Sequence, residues 1–344
     1  MAFDILRLVE SGGYASDLLL VRAAGLDARD AGLAAELVFG MLRYQAQLDY
    51  LIRHFSGRAA RLDIEVRIAL RLAIYQLRYL ERVPPHAAVT ESVELVKRAR
   101  KRSAAGFVNA VLRKVDRGPV EWPSREIAWS CPEWLIAGWE RHYGAPAAEV
   151  IARAALQAPE PYVQPATGRR QDIGSQAVVP LLDLDPGQCF LDLCAAPGNK
   201  TAQALAAAPG IHAVACDLHF HRLAPMKVLG VPLVLLDGTR PLPFGRRFDR
   251  ILLDAPCSGT GTLGRNPEIK WRLTPDDIED LARRQRALLA NARSVLVPGG
   301  RLVYSTCSLE PEENEQIAGL PPALQRLPGR DPGDGFWAAV IESG

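Results

Sequence analysis

Five short apolar runs, each closed by a polar residue, constrain this chain more than any other feature. They read "CFLDLC" (189–194), "HAVACD" (212–217), "PLVLLD" (232–237), "FDRILLD" (248–254) and "GRLVYS" (300–305). Runs of this length, continuous rather than alternating and separated by loops and helical stretches, predict buried parallel strands. The predicted fold from residue 188 onward is therefore a doubly wound α/β sheet, with "GDGFWAAVIE" (333–342) as a final antiparallel strand. Four of the five runs end in Asp or Cys. That places polar chemistry at the carboxyl edge, where sheets of this kind bind ligands.

Residues 1–117 follow a different period. Leu37, Met41, Tyr44, Leu48, Leu51 and Phe55 alternate spacings of three and four, and Ile64, Ile68, Leu72, Tyr75 and Tyr79 recur at spacings of three or four. Each segment carries one apolar stripe, the signature of an all-α helical bundle. Asp63 stands where a cap for the second stripe is needed, Pro84-Pro85 breaks the chain before a helix near His86, and "GFVNAVLRKV" (106–115) closes the bundle. His54 and His86 have no neighbours at metal-binding spacing and are read as structural. Residues 118–187 form a Pro-punctuated connector holding Trp122, Trp129, Trp134 and Trp139, read as packing residues rather than base-stacking platforms.

The halves differ in charge. Residues 1–117 carry 19 Lys+Arg against 13 Asp+Glu, a balance of +6, and the remainder carries 22 against 26, or −4. A polyanion would dock on the first half, where Lys97, Arg98, Arg100, Lys101 and Arg102 form the densest basic run. No apolar run approaches the ~18 residues of a membrane span, and the N-terminal segment carries acids where a leader would be basic. A cytoplasmic protein is expected, with no membrane partner. Six cysteines, without a CxxC pair or a His-rich cluster, predict reduced thiols and no metal site. The absence of a long heptad pattern makes a monomer the expected state.

"LDLCAAPGNKT" (191–201) follows the first strand and opens a helix. Small residues Ala195, Ala196 and Gly198 let the backbone approach a ligand, and the helix N-terminus offers amide donors to a carboxylate such as that of methionine. Asp217, closing the second strand, suits the two hydroxyls of a ribose, and Asp237, in "LDGT", suits an adenine edge. Acids at successive strand ends point to an adenosyl group. At the fourth strand, "LLDAPCSGTGTLGRNPEIKWRLTP" (252–275) puts Asp254, Pro256 and Cys257 in one turn, followed by Arg265, Lys270 and Arg272, which are expected to hold flanking phosphates. The fifth strand delivers Cys307 in "STCS". Two thiols and an acid suit a cytosine: its C5 is too electron-poor to attack a sulfonium methyl until a thiolate has added to C6. Cys131, Cys189 and Cys216 are read as inert buried thiols.

In that order, "LDLCAAPGNKT", "LLDAPCSGTGTLGRNPEIKW" and "YSTCSLEPEENE" resemble the Sun (Fmu, RsmB-like) RNA cytosine-5 methyltransferases. The stretch "AAVTESVELVKRARKRSAAGFVNAVLRKV" resembles the NusB-type helical domain that bacterial members carry in front. The resemblance covers nearly the whole chain. It implies a NusB-like RNA-binding domain over 1–117, a connector over 118–187 shortened relative to the family, and a class I, Rossmann-like adenosylmethionine-dependent methyltransferase domain over 188–344. It implies Cys307 as nucleophile and Cys257 as the residue aiding release. The cofactor positions it implies are Cys194, Ala195, Ala196, Pro197, Gly198, Asn199, Lys200, Asp217, Asp237 and Asp254. Asn199 stands where the family has a second glycine, a position expected to need left-handed backbone geometry. The implied activity is methylation of C5 of a cytosine in 16S ribosomal RNA, on unassembled or partly assembled small-subunit RNA. The alternatives are a transfer-RNA cytosine-5 methyltransferase and an RNA-binding assembly factor that no longer turns over. A DNA-type enzyme would use Cys257 as nucleophile and would not need Cys307.

Overall fold

The computed structural model describes residues 1–57, 62–245 and 247–343. The chain divides into two compact units that do not follow chain order. The first comprises Met1–Ala137, Ala152–Ala158 and Leu263–Trp271, and the second Gly138–Ile151, Pro159–Thr262 and Arg272–Gly344.

The second unit is built on a seven-stranded sheet of β1 (Cys189–Asp192), β2 (His212–Asp217), β3 (Leu233–Leu235), β4 (Phe248–Asp254), β5 (Leu296–Thr306), β6 (Leu324–Arg326) and β7 (Phe336–Glu342), in the order β3-β2-β1-β4-β5-β7-β6. The pairs from β3 through β5 are parallel, and β7 runs antiparallel to both β5 and β6. All five predicted parallel strands and the final antiparallel one are present. The additional strand, β6, is only three residues long. Successive residues feed opposite faces, as the period of two requires. Leu191, Ile251, Leu253, Leu302 and Tyr304 pack with Leu288, Leu289 and Ala292. Phe190, Leu252 and Val303 pack on the other side with Val178, Leu182 and Ala204. Both faces are covered, which is why the strands read as continuous apolar runs. The helix Pro275–Ser294 covers the first face and starts at a capping box between Thr274 and Asp277, with Pro275 in its first turn. The order of strands reverses between β1 and β4, so the ligand crevice of such a sheet opens above their carboxyl ends.

The first unit is a helical bundle, as the stripes predicted. The stripe from Leu37 to Phe55 is not one helix but two, Ala28–Arg43 and Gln45–Ser56, broken at Tyr44 (φ −98°, ψ 14°). The heptad-like spacing continues across the break, so the apolar pattern alone could not locate it. Asp63 precedes the helix Ile64–Tyr79, but its side chain caps nothing; it pairs with Lys101 Nζ at 2.9 Å. Lys97 is likewise held by Glu94 at 2.7 Å, so two of the five cations in the basic run are paired locally. Inside the bundle, the buried Arg71 donates to both Asp49 and Glu10. The connector is more ordered than its prolines implied, with helices at Glu133–Tyr143 and Ala145–Ala154. Trp122 packs edge-on against Tyr50, and Trp129 lies under Arg153.

The segment Leu263–Trp271 belongs to the helical unit although its sequence lies within the Cys257 motif region. Lys270 Nζ donates to Arg43 O (2.9 Å) and Trp271 Nε1 to Leu42 O (2.9 Å), two carbonyls left open at the end of the helix Ala28–Arg43. Arg43 Nε returns a bond to Gly264 O at 2.8 Å, and Ala15 N–H donates to Glu268 Oε1 at 2.9 Å. Lys270 is 1% exposed, and burial pushes its ammonium down to about 8. The expectation that Lys270 holds a phosphate is therefore wrong, because its charge is spent on a helix terminus.

Candidate active site

Three loops converge above the reversal point. The first leaves β1 and passes through Leu193–Gly198 into the helix Asn199–Ala207. Gly198 adopts φ +95°, and a Cβ there would lie 3.0 Å from Met226 Cγ and 3.2 Å from Leu229 Cδ1. Only glycine suits both the backbone and the space. Asn199 is already helical, so left-handed geometry falls on Gly198 and the expected conformational demand on Asn199 is absent. Its amide is instead used as a tie, donating to Arg170 O at 3.1 Å and accepting from Arg169 Nη1 at 3.3 Å. Ala195 packs under the loop with Ala215, Leu223 and Met226, while Cys194 lies against the core of the opposite face. Burial raises the Cys194 thiol well above the ordinary range.

Asp217 ends β2 beside this loop. Its Oδ2 accepts from Ala196 N–H (3.2 Å) and its Oδ1 from His219 N–H (2.9 Å), so it fixes the turn and retains lone pairs for a ligand. Asp237 follows β3 and accepts from Thr239 N–H at 3.0 Å and Thr239 Oγ1 at 2.6 Å, bonds that hold its carboxyl below the usual range. Beneath the first loop, Asp192 is 1% exposed and accepts from Thr201 Oγ1 through Oδ2 at 2.6 Å. Among the described residues its Oδ1 has no hydrogen-bond partner, and burial lifts its carboxyl to about 7.

The second and third loops leave β4 and β5. Asp254, the last residue of β4, accepts from Lys200 Nζ (2.6 Å) and from Ser305 Oγ (2.8 Å). Lys200, from the first loop, also lies 5.4 Å above the Phe336 ring. Asp254 is thus gripped from the helix that follows β1 and from β5. Beyond it, the sulfurs of Cys257 and Cys307 lie 3.4 Å apart, fifty residues distant in sequence. The Cys257 thiol is raised well above the ordinary cysteine range, first by its hydrogen bond to Cys307, then by burial and by nearby negative charge including Glu313. Gly261 lets the two loops touch: its N–H donates to Cys307 O at 2.9 Å, and a Cβ there would come within 2.5 Å of Gly335 O.

The spacing of sequence motifs does not disclose the residues that hold these loops. Glu313, fully buried, accepts from Ser258 and Ser308, the residues following each cysteine, and from Gln285. Asn314 Nδ2 donates to Ser308 O at 3.0 Å. Trp139 Nε1 donates to Glu310 Oε1 at 3.0 Å and Tyr143 OH to Leu309 O at 2.7 Å, which fixes the loop after Cys307. Burial raises Glu310 to about 7. The available signal was the acid-rich "LEPEEN" directly after a Ser-Thr-Cys-Ser strand end. Among the described residues no cluster of His, Cys, Asp or Glu could hold a metal, and no helix is long and apolar enough to cross a membrane.

The description "16S rRNA methyltransferase RsmB/F" matches residues 179–328, and "NusB family" matches residues 1–117. The chain is 32% identical to the ribosomal RNA small subunit methyltransferase B of Yersinia pestis bv. Antiqua (strain Angola) over 413 aligned positions, covering 98% of this chain and 96% of that one. It is 31% identical to the probable ribosomal RNA small subunit methyltransferase B of Bacillus subtilis (strain 168), over 91% of this chain and 85% of the relative. Among solved structures, a methyltransferase homolog protein from Pyrococcus horikoshii superposes with a TM-score of 0.52 at 27% identity, covering 64% of this chain and 97% of that one. The structure titled PH0851 shares the fold over 98% of this chain and 96% of its own, with a TM-score of 0.77 at 21% identity. With the sheet order, the NusB-type bundle and near-full-length likeness in agreement, the chain belongs to the ribosomal RNA small subunit methyltransferase B (RsmB/F, Sun) family.

Proposed function

We propose that this protein methylates C5 of a cytosine in small-subunit ribosomal RNA, with S-adenosyl-L-methionine as methyl donor and a covalent thiol adduct at C6. The observation that carries the reading is the pair of thiols 3.4 Å apart at the ends of adjacent strands β4 and β5, next to the Lys200–Asp254 pair. The loop at Gly198 and the acids Asp217 and Asp237 fit an adenosyl ligand: a left-handed glycine turn that leads the loop into a helix N-terminus, a carboxylate with lone pairs left for ribose, and a second acid one strand further. When bound, the sulfonium supplies an electrophilic methyl group. Cys194 through Lys200 would line that ligand, and Asp254 would stand between it and the base.

Cys307 would act as nucleophile. As its sulfur bonds to C6, electron density moves to C5, which becomes able to take the methyl group. Cys257 keeps its proton while Cys307 is a thiolate, because a second negative charge 3.4 Å away is unfavourable. Once Cys307 is bonded to carbon that charge is gone. Cys257 can then release its own proton to solvent and, as thiolate, take the proton from C5; the C5–H electron pair re-forms the C5–C6 double bond as the C6–S bond breaks, restoring the aromatic ring and the Cys307 thiolate. Asp254, steered by Lys200 and Ser305, would face N3 and share a proton with it, which neutralises the electron pair that the attacking sulfur pushes into the ring. The helical unit carries the net positive charge and would meet the RNA backbone.

The test is methyl transfer from labelled adenosylmethionine to unmodified small-subunit RNA, read on a denaturing protein gel. Wild type should label the RNA, Cys257→Ser should accumulate a slow-migrating RNA adduct, and Cys307→Ala should give neither product nor adduct. Near-normal turnover by Cys307→Ala would reject the assignment of the nucleophile. Labelling of transfer RNA in place of ribosomal RNA would reject the substrate.

A further inference from the structure

We propose that Glu313 is the positioning residue that sets the two thiols at working distance. The inference rests on the two-thiol reading above, and part of its test does not. Glu313 is fully buried, with 0% of its surface exposed, yet among the described residues no cation is hydrogen-bonded to it or paired with it. Its Oε1 accepts from Ser258 N–H (2.9 Å) and Gln285 Nε2 (2.9 Å), and its Oε2 accepts from the hydroxyls of Ser258 and Ser308. Ser258 and Ser308 immediately follow Cys257 and Cys307. One carboxylate thus binds both cysteine loops through the residue next to each sulfur. Gln285 extends the grip, donating also to Pro256 O at 2.9 Å on the other side of Cys257.

The anchor itself is fixed. Tyr304 OH donates to Glu313 O at 2.6 Å, and Asn314 is tied to Ser308 O and to Thr306 Oγ1. Strand β5 therefore leads directly into Cys307 and, through Tyr304 and Thr306, holds the residue that measures its distance from Cys257. A buried carboxylate with four donors and no cation is an expensive way merely to fill a core, because an apolar residue of similar size needs no such network. What the carboxylate provides is a two-sided acceptor, which no apolar side chain offers. Displacing a reacting group by about 1 Å costs roughly a hundredfold in rate, so small slippage between these loops would be visible in turnover.

The experiment uses the full chain as wild type, as Glu313→Gln and as the Ser258→Ala/Ser308→Ala double variant. The first readout needs no RNA. Diamide takes two electrons and two protons from a thiol pair and leaves a disulfide, and the Cys257–Cys307 linkage is followed by peptide mass, with Cys307→Ala as blank. Both variants should form it about tenfold or more slowly than wild type. The second readout is methyl transfer, where kcat should fall about ten- to a hundredfold with KM for RNA within about twofold. A purely stabilising role would lower the melting temperature and leave both rates near wild type, which would overturn the proposal. Should Glu313→Gln fail to fold, the double variant decides, and unchanged disulfide formation there overturns it. Slow disulfide formation in an enzyme that does not methylate RNA would sustain the role of Glu313 and reject the activity assigned above.

Discussion

Gly198→Ala is the sharpest test of the adenosyl loop. The residue holds φ +95° and ψ 10°, and an alanine there pays about 1–2 kcal/mol for left-handed geometry. The added Cβ would meet Met226 Cγ at 3.0 Å and Cε at 3.1 Å. Met226 is flexible, so relieving that contact adds less than about 1 kcal/mol. The total is about 2 kcal/mol, and linkage decides where it is seen. A loop that keeps its shape loses the whole amount from stability, about 4–8 °C in melting temperature for a domain of this kind. A loop that relaxes in the free protein must be re-formed on binding, and 2 kcal/mol then weakens adenosylmethionine about thirtyfold. The two losses share one sum. Thermal unfolding of the free protein and calorimetric titration with adenosylmethionine measure both, and a combined loss below about 0.5 kcal/mol would refute the reasoning.

Three further outcomes follow from buried charges. Lys200→Met removes the partner of Asp254 at 2.6 Å; with Asp254 30% exposed, the expected cost is about 2 kcal/mol, less than the ~3–5 of a fully buried pair, and methyl transfer should fall with it. Glu310, raised by burial from 4.5 to about 7, keeps a proton in the folded state that the unfolded chain releases, so its contribution is complete below about pH 4.5 and is lost as pH rises through 7. Glu310→Gln should flatten that decline, worth at most about 3 kcal/mol, in melts recorded across the window, and an unchanged slope would reject it. Lys270 has the opposite sign: lowered to about 8, it makes stability rise between pH 8 and about 10.5, and Lys270→Met should abolish the rise.

The strands and their polar ends were legible because continuous apolar runs have few alternatives, and the five predicted runs became β1 to β5. β6 was not legible: Leu324–Arg326 is three residues with no apolar alternation, and it becomes a strand only because β7 offers a free edge. The break at Tyr44 was hidden by a stripe that both helices share. Asn199 shows a limit of motif reading, because a residue one position past the left-handed turn carries no conformational cost. The approach of Cys257 and Cys307 followed from adjacent strands, whereas the carboxylate of Glu313 did not. A satisfied buried network depends on where side chains meet in space, and acids in an exposed-looking run such as "EPEEN" give no periodic signal.

The segment Leu263–Trp271 has a consequence for how this protein can be divided. A polypeptide ending near residue 137 would hold the helix Ala28–Arg43 without the lysine and indole that close its final carbonyls. A polypeptide beginning near residue 159 would carry Lys270 without the Arg43 carbonyl that accepts its hydrogen bond. Each half corresponds to a recognisable fold, and a cut between them removes these bonds from both. Inheritance of one without the other, or exchange of the helical half between relatives, would have to bring a matching nine-residue excursion from the other half of the gene. Two separately expressed halves should therefore be more soluble together than apart.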